Sequence, residues 1–412
     1  MKIAIFLPRS WRGSMLRAAQ GFCSALLSAA IRQGRDVELI LSIRPDTYTA
    51  KDLDLTHPRL TVRETRWTVL SDEESMLLGI ANTACVPPYI RPTDGGHDFM
   101  DCSLWIVFGV DFLPEVGVLA PLRPYYVYLP DLIQRNAPQI YGDEVKPLEP
   151  AWLMNTGLIL TIRRAEKVLV TTPNTMQDAI GYAGAARDKV ILMPLWSLEP
   201  ATNPTAEGPA RERPYLLWVS TVLHKNLSHA IDSLEKYYEQ GGTLDALLIG
   251  ASAYGMSAAW QRRAPKPDRA YWGKIAGKIN ETRFTRERLH LLGEVSERQY
   301  VNLITGAQFV WHNVLYDNGS FVVLDAARVG VPVLSSDYPE MRYICDVFKI
   351  PCRFYPTTDV DSAADALGQM ERSVRDGELK MSYRTPERWQ ETLDAAFDNL
   401  LALIWDEQPR DR

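Results

Sequence analysis

Residues 317–328 read Asp-Asn-Gly-Ser-Phe-Val-Val-Leu-Asp-Ala-Ala-Arg and carry the most chemically suggestive spacing in the chain. Asp317-Asn318-Gly319-Ser320 has the composition of a turn. It follows Phe309 to Val314, an apolar run that reads as a strand, and precedes a helical pattern from Phe321 to Arg328. A glycine-containing turn ahead of a helix exposes backbone N–H groups at the helix's positive end, which favours an anion. Asp317 and Asp325 stand eight residues apart, about two helical turns, so both carboxylates can face one site. One could meet a sugar and the other a ribose diol. The plainer alternative is a turn aspartate and a helix aspartate on a solvated face.

Other chemistries find less support. The GxSxG, GxxxxGK[ST] and HExxH patterns are absent, and no GxGxxG follows the first strand, so a nicotinamide cofactor is not expected. Asp52-Leu53-Asp54 and Asp359-Val360-Asp361 match a DxD string. Such triplets are common by chance and neither follows a clear buried strand, so no metal is expected. His97-Asp98, after Gly95-Gly96, could be a catalytic dyad, but a polar loop is the favoured reading.

The elements that must position these residues alternate. A short apolar run, Ile3 to Leu7, precedes a loop with Pro8, Gly13 and Ser14. Apolar residues at helical spacing follow from Met15 to Gln33, closed by Gly34, and Val37 to Ile43 is the next run. This is a βαβ unit, and it implies a parallel sheet covered on both faces. Runs at 104–108, 125–129, 167–171 and 190–194 read as further strands, with helical patterns near 151–166 and 174–182. A proline-rich stretch without periodicity separates this block from a second one. There, 215–219, 244–249, 289–292, 309–314, 331–335 and 353–355 read as strands and 227–239 as a helix. A last helix is expected from Pro386 to Trp405, with Thr385 as its cap. The expected domains are 1–196, a 197–213 linker, 214–385, and a 386–412 crossover helix and tail.

Composition sets the outer limits. At 412 residues the chain suits two domains. With 46% hydrophobic and 23% charged residues it should fold around sizeable cores. Forty-five basic against 51 acidic residues give a net charge of −6, which argues against sequence-independent nucleic-acid binding. Five cysteines with no CxxC spacing signal neither a disulfide framework nor structural zinc. The N-terminus lacks a signal-peptide pattern, and no window reaches the ~18 apolar residues of a membrane span. A cytoplasmic protein is expected, with peripheral contact at the inner face of a membrane left open.

The motifs together resemble the family-4 nucleotide-sugar glycosyltransferases of the GT-B fold. Tyr316-Asp317-Asn318-Gly319-Ser320-Phe321, Val323-Leu324-Asp325-Ala326-Ala327 and Gly330-Val331-Pro332-Val333-Leu334-Ser335-Ser336-Asp337 are similar to that family's E-x7-E segment. Aspartates replace both glutamates at the same spacing, so the reach is one methylene shorter. Leu216 to Thr221 followed by His224-Lys225-Asn226-Leu227 resembles its strand, glycine-rich turn and RKN segment, with Ser220 where a glycine is usual. Leu291-Leu292-Gly293-Glu294-Val295-Ser296 resembles the strand end that passes the nucleotide base. More loosely, Gly13-Ser14 stands at the glycine-rich acceptor-side loop, and Tyr128 to Ile133 resembles an HDLIP-type segment. The 171–175 and 189–195 segments are also similar.

The resemblance implies two facing doubly wound Rossmann-like domains, a ligand cleft between their carboxyl edges, and a C-terminal helix crossing back to the first domain. It also implies a metal-independent glycosyltransferase without a cofactor, taking a nucleotide diphosphate sugar as donor and a glycan or lipid-linked acceptor, as in bacterial polysaccharide biosynthesis. Retention of anomeric configuration follows from the resemblance alone. Lys225 would grip the donor diphosphate. Ser220, Thr221, Asn226, Glu294, Val295, Asn318, Gly319, Ser320, Phe321 and Asp325 would line the donor site, with Asp317 beside the sugar. Gly13, Ser14 and Asp131 would lie on the acceptor side, Asp131 as an inverting base or, preferably, as a residue shaping the loop. The alternative of another class is a nucleotide-sugar or carbohydrate-binding scaffold with a degenerate site and no turnover.

Overall fold

Near-continuous apolar runs demand burial on both faces, and each block of the chain meets that demand with a parallel sheet between helices. A computed structural model describes residues 1–7, 14–43, 56–69, 71, 73, 90–94, 96–108, 123–136, 159–196, 213–220, 226–250, 253, 256, 266–317, 321–379 and 389–407. In the first block Lys2–Phe6 (β1), Glu38–Ile43 (β2) and Leu60–Glu64 (β3) pair in sequence, and Trp67–Val69 (β4) with Ile90–Pro92 (β5) forms a separate antiparallel ribbon. Leu104–Phe108 (β6), Tyr125–Tyr128 (β7), Lys167–Val170 (β8) and Val190–Leu192 (β9) then complete a seven-stranded sheet of order β3-β2-β1-β6-β7-β8-β9. β1 is flanked by β2 and β6, with Ile3 paired to both Leu39 and Leu104.

One face of this sheet presents Phe108 and Tyr128 to the Ser14–Arg32 helix and to the C-terminal Trp389–Glu407 helix. Phe22 packs its ring 5.3 Å from Phe108 and 5.2 Å from Phe397, and Trp196 packs 5.0 Å from Tyr128 and 5.7 Å from Phe397. The return of the last helix to the first block is therefore a core contact. Polar groups fix its register. Arg32 pairs with Asp394 and Asp398, Gln33 Nε2 donates to the Asp398 carbonyl, and Lys167 pairs with Glu407. Gly34 ends the Ser14–Arg32 helix at φ 62°, the left-handed region in which glycine is unstrained.

The second block repeats the plan with Tyr215–Val219 (β10), Asp245–Ile249 (β11), Leu289–Gly293 (β12), Phe309–His312 (β13), Val333–Ser336 (β14) and Cys352–Tyr355 (β15), in the order β12-β11-β10-β13-β14-β15. Every strand pair is parallel. Leu216, Trp218, Leu248 and Trp311 pack with the Leu227–Glu239 and Val360–Arg375 helices in one buried cluster. Alternation turns Leu217, Leu247 and Val310 to the other face, where they are also fully buried. The first unit takes in β1–β9 and the C-terminal helix, the second β10–β15 and their helices.

Several expected bounds are met residue for residue: Leu227–Glu239, Phe321–Arg328 and Tyr215–Val219. β13 ends at His312, short of the expected Val314. Asn313 Nδ2 leaves the ladder to donate to the Asn226 carbonyl, and Val314 N donates to Ser336 Oγ. The expected 174–182 helix is a short α-turn, Pro173–Gln177, running into a π-turn, Asp178–Tyr182. The 385–388 start of the last helix and residues 197–212 of the linker lie outside the described residues.

Candidate functional site

An open parallel sheet binds ligands beyond the carboxyl ends of its strands, where the winding direction reverses. In the second sheet the chain works outward from β10 to β12, returns to β13, and works outward again to β15. The reversal falls between β10 and β13, so the segments after those strands form the candidate site.

Ser220, fully buried, follows β10 and donates its N–H to the Ile249 carbonyl. Asn226 opens the Leu227–Glu239 helix from the left-handed region, at φ 51°. Its Nδ2 donates to the Thr357 carbonyl, and its own carbonyl accepts from Asn313 Nδ2 at 3.1 Å. Asn313 Oδ1 in turn accepts from the Tyr355 hydroxyl at 2.7 Å, which accepts from Trp311 Nε1. This buried chain ties the turns after β10, β13 and β15 to one another. A helix N-terminus held in this way offers its positive end to an anion.

Asp317, half-buried, lies on the segment after β13. Its neighbour Tyr316 donates to the wholly buried Glu340 carboxylate in the first turn of the Pro339–Val347 helix, where the helix dipole favours negative charge. Tyr338 lies at the start of that helix, its hydroxyl 2.9 Å from His312 Nε2. Burial raises the Tyr338 phenol well above the usual range, and the charges of Asp317 and Glu340 add to the shift. The Asp317 charge thus acts on an enclosed polar cluster.

Asp325 occupies the middle of the Phe321–Arg328 helix and is only 2% exposed. Its Oδ2 accepts from the Tyr300 hydroxyl at 2.8 Å, and the Arg328 guanidinium stands 3.8 Å from Oδ1. The solvated-face alternative for this aspartate therefore does not hold. Phe321 is half-buried at the head of the same helix. Glu294 is exposed and Val295 half-buried, just after β12. Gly293, at φ 75°, makes the turn that leads to them. Lys225, Thr221, Asn318, Gly319 and Ser320 lie outside the described residues.

In the first sheet, Asp131 follows β7 through Leu129-Pro130 and is half-buried. Thr172 caps the turn after β8 by accepting from Thr175 N, and Thr175 Oγ1 lies 3.5 Å from the Pro130 carbonyl. Ser14 opens the first helix, and Gly13 is outside the described residues. Of the DxD strings, Asp359 caps the Val360–Arg375 helix through Asp361 N and Ser362 N, and Asp361 pairs with Lys236. At 94–98, Asp94 accepts from Gly96 N and Asp98 N, so its side chain organises the polar turn.

Sequence reasoning missed Asn313, Tyr355, His229 and Tyr300, which have partners remote in the chain, and Arg328, whose partner Asp325 lies three residues back and whose i,i+3 spacing could have signalled the pair. His229 sits in the first turn of the Leu227–Glu239 helix, beside Asn313 and Asp359. Burial lowers its pKa, opposed by contacts with Asp359, Asp232 and Asn313. A histidine depressed below its unfolded value contributes stability that is full above about pH 6.5 and is lost as pH falls toward the folded pKa. The denaturation midpoint of the wild type should therefore fall more between pH 7 and pH 5.5 than that of His229→Gln. Parallel pH profiles would mean that the folded and unfolded chains protonate His229 alike, with no lowering of its pKa by the fold.

No family model matches the chain, and no curated protein matches it. Solved structures do. Anabaena HepE in complex with UDP and glucose superposes with a TM-score of 0.66 at 13% identity, covering 98% of this chain and 99% of its own. The sucrose-phosphate synthase of Thermosynechococcus elongatus gives 0.64 at 14% identity, covering 98% and 97%. WaaG, a glycosyltransferase involved in lipopolysaccharide biosynthesis, gives 0.59 at 11%, covering 98% and 99%. At these identities the likeness establishes the fold. The chain has the GT-B fold of these glycosyltransferases, two parallel-sheet α/β domains with the last helix packed on the first.

Proposed function

We propose that this protein is a glycosyltransferase that moves a hexosyl group from a nucleotide diphosphate sugar to a glycan or lipid-linked acceptor. One observation carries the reading. Ser220, Asn226, Asp317, Glu294 and Val295 gather at the carboxyl edge of the second sheet, with Asp325 on the helix that follows β13, in a chain of GT-B fold. HepE, of the same fold, was solved with UDP and glucose, which supports a nucleotide-sugar donor here. The involvement of WaaG in lipopolysaccharide biosynthesis supports an acceptor of the polysaccharide class.

In the transfer, the bond from C1 of the sugar to the diphosphate oxygen breaks and its electron pair leaves with the nucleoside diphosphate. The acceptor hydroxyl bonds to C1 and gives up its proton. The protein must stabilise the leaving diphosphate and the positive charge growing on the sugar ring. Lys225 and the helix N-termini after Asn226 and Gly319 meet the diphosphate, and Asp317 meets the sugar. Ser220, Thr221, Asn318, Ser320 and Phe321 line the donor site, Glu294 and Val295 the base, and Asp325 the ribose. Gly13, Ser14 and Asp131 serve the acceptor, Asp131 by shaping its loop. Retention of configuration is the stereochemical reading, from the family resemblance.

Among the described residues no helix is long and apolar enough to cross a membrane. The proposed setting is the cytoplasm, with a lipid-linked acceptor reached at the inner membrane face.

The test is a thermal-shift screen of UDP, GDP and ADP sugars, since a donor above its Kd raises stability by RT ln(1 + [L]/Kd). Donor turnover follows, with and without excess EDTA. Stabilisation by one donor and turnover unchanged in EDTA are expected. Complete loss of turnover in EDTA, restored by Mn²⁺, would overturn metal independence. Binding without transfer or hydrolysis would favour the scaffold reading.

A further inference from the structure

Asp325 is held from two directions before any ligand is considered. The Tyr300 hydroxyl donates to Oδ2 at 2.8 Å, and Arg328, its own side chain only 13% exposed, stands 3.8 Å from Oδ1. Arg328 is three residues on in the same helix, so its place follows from local geometry. Tyr300 comes from another element, the Glu297–Thr305 helix, which starts directly after the Glu294-Val295 segment. That helix has a full capping box, Ser296 accepting from Gln299 N while the Gln299 side chain accepts from Ser296 N. Its first turn is thereby fixed, and Tyr300 lies in that turn. Tyr300 therefore links the segment after β12 to the carboxylate on the helix after β13.

We propose that Tyr300 is a positioning residue for Asp325, orienting the carboxylate toward the ribose hydroxyls of the donor; this rests on the donor-site reading above. A carboxylate of two oxygens can accept about four hydrogen bonds. Accepting from Tyr300 is thus compatible with accepting from a diol. An aspartate has two side-chain torsions, and rotation about the second swings both oxygens. A charge-assisted bond to one oxygen removes that freedom, and the Arg328 charge 3.8 Å from the other adds Coulomb attraction. The short reach of an aspartate leaves little slack, so its angle decides whether a diol is met. Tyr300 also couples the segment read as base-side to the residue read as ribose-side, which makes it a candidate determinant of nucleoside recognition.

The experiment measures Kd by calorimetry for UDP, GDP and ADP and for the 2′-deoxy and 3′-deoxy forms of whichever binds. Wild type, Tyr300→Phe, Arg328→Lys and Asp325→Asn are compared. The wild type should bind the deoxy forms about 10-fold or more weakly than the parent, the size of a lost hydrogen bond to a charged group. Tyr300→Phe keeps the ring and loses only the hydroxyl. It should weaken the parent nucleotide several-fold and the deoxy forms hardly at all, so the discrimination ratio falls toward one. A merely structural tyrosine would shift all ligands equally and leave that ratio intact, and this result overturns the proposal. Arg328→Lys should lower the ratio in the same direction, and an unchanged ratio there removes the second clamp. Asp325→Asn separates the two levels. If it loses discrimination while Tyr300→Phe keeps it, Asp325 reads the ribose without Tyr300 and only this inference fails. If Asp325→Asn also discriminates like the wild type, or no nucleoside diphosphate binds the wild type, the donor-site reading fails and takes the inference with it.

Discussion

Asp325→Ala is expected to bind the proposed nucleotide donor about 10- to 150-fold more weakly than the wild type and to be measurably less stable. The affinity loss is that of one charge-assisted hydrogen bond, ~1.5–3 kcal/mol. The stability loss has a separate cause. Asp325 is enclosed and partnered by Tyr300 and Arg328, and removing one member of a buried pair leaves an uncompensated charge, at a cost of about 3–5 kcal/mol. A surface aspartate would change stability by no more than ~0.5 kcal/mol. Donor calorimetry on folded protein and denaturant titration measure the two effects independently. Asp325→Asn retains the volume and part of the Tyr300 bond, so it should recover much of the stability and little of the affinity. Wild-type affinity in both variants would remove Asp325 from the donor site and leave it as a helix anchor.

Asp317→Ala is expected to lower kcat on the order of 10²-fold, the typical scale for one lost electrostatic contact to a transition state, while KM changes by only a few-fold. The reason lies in timing. The proposed place of Asp317 is beside the sugar rather than the nucleotide, where its carboxylate would matter most as positive charge grows on the ring, and an interaction of that kind appears in kcat. Its side chain is half-buried, and its charge acts on the buried Tyr338 phenol. Asp317→Asn, of the same shape without the charge, should be nearly as slow as the alanine variant. Single-turnover rates with saturating donor separate chemistry from product release. A raised KM with kcat intact would assign Asp317 to ground-state binding instead.

Much of this protein is legible in its local pattern. Alternating apolar runs and 3.6-residue periodicities place two parallel-sheet blocks, because strands buried on both faces and amphipathic helices each leave a chemical signature. Tyr215–Val219, Leu227–Glu239 and Phe321–Arg328 could be bounded to the residue from their neighbours alone. The Asp317–Asp325 spacing is legible for the same reason, since a turn followed by a helix is a local event.

Tertiary structure alone decided what Asp325 touches on another helix. Spacing is equally compatible with a solvated Asp325 and a buried one, and the choice came from Tyr300, 25 residues earlier on another helix. The end of β13 was settled by Asn313 turning to Asn226, a separation of 87 residues. The packing of the last helix on the first sheet depends on Phe397 meeting Phe22 and Asp398 meeting Arg32. Periodicity records that a residue faces a core or a neighbour in its own element. It carries no record of which distant side chain will complete a hydrogen bond, because that pairing exists only after the sheet has wound and brought the carboxyl ends of its strands to one edge.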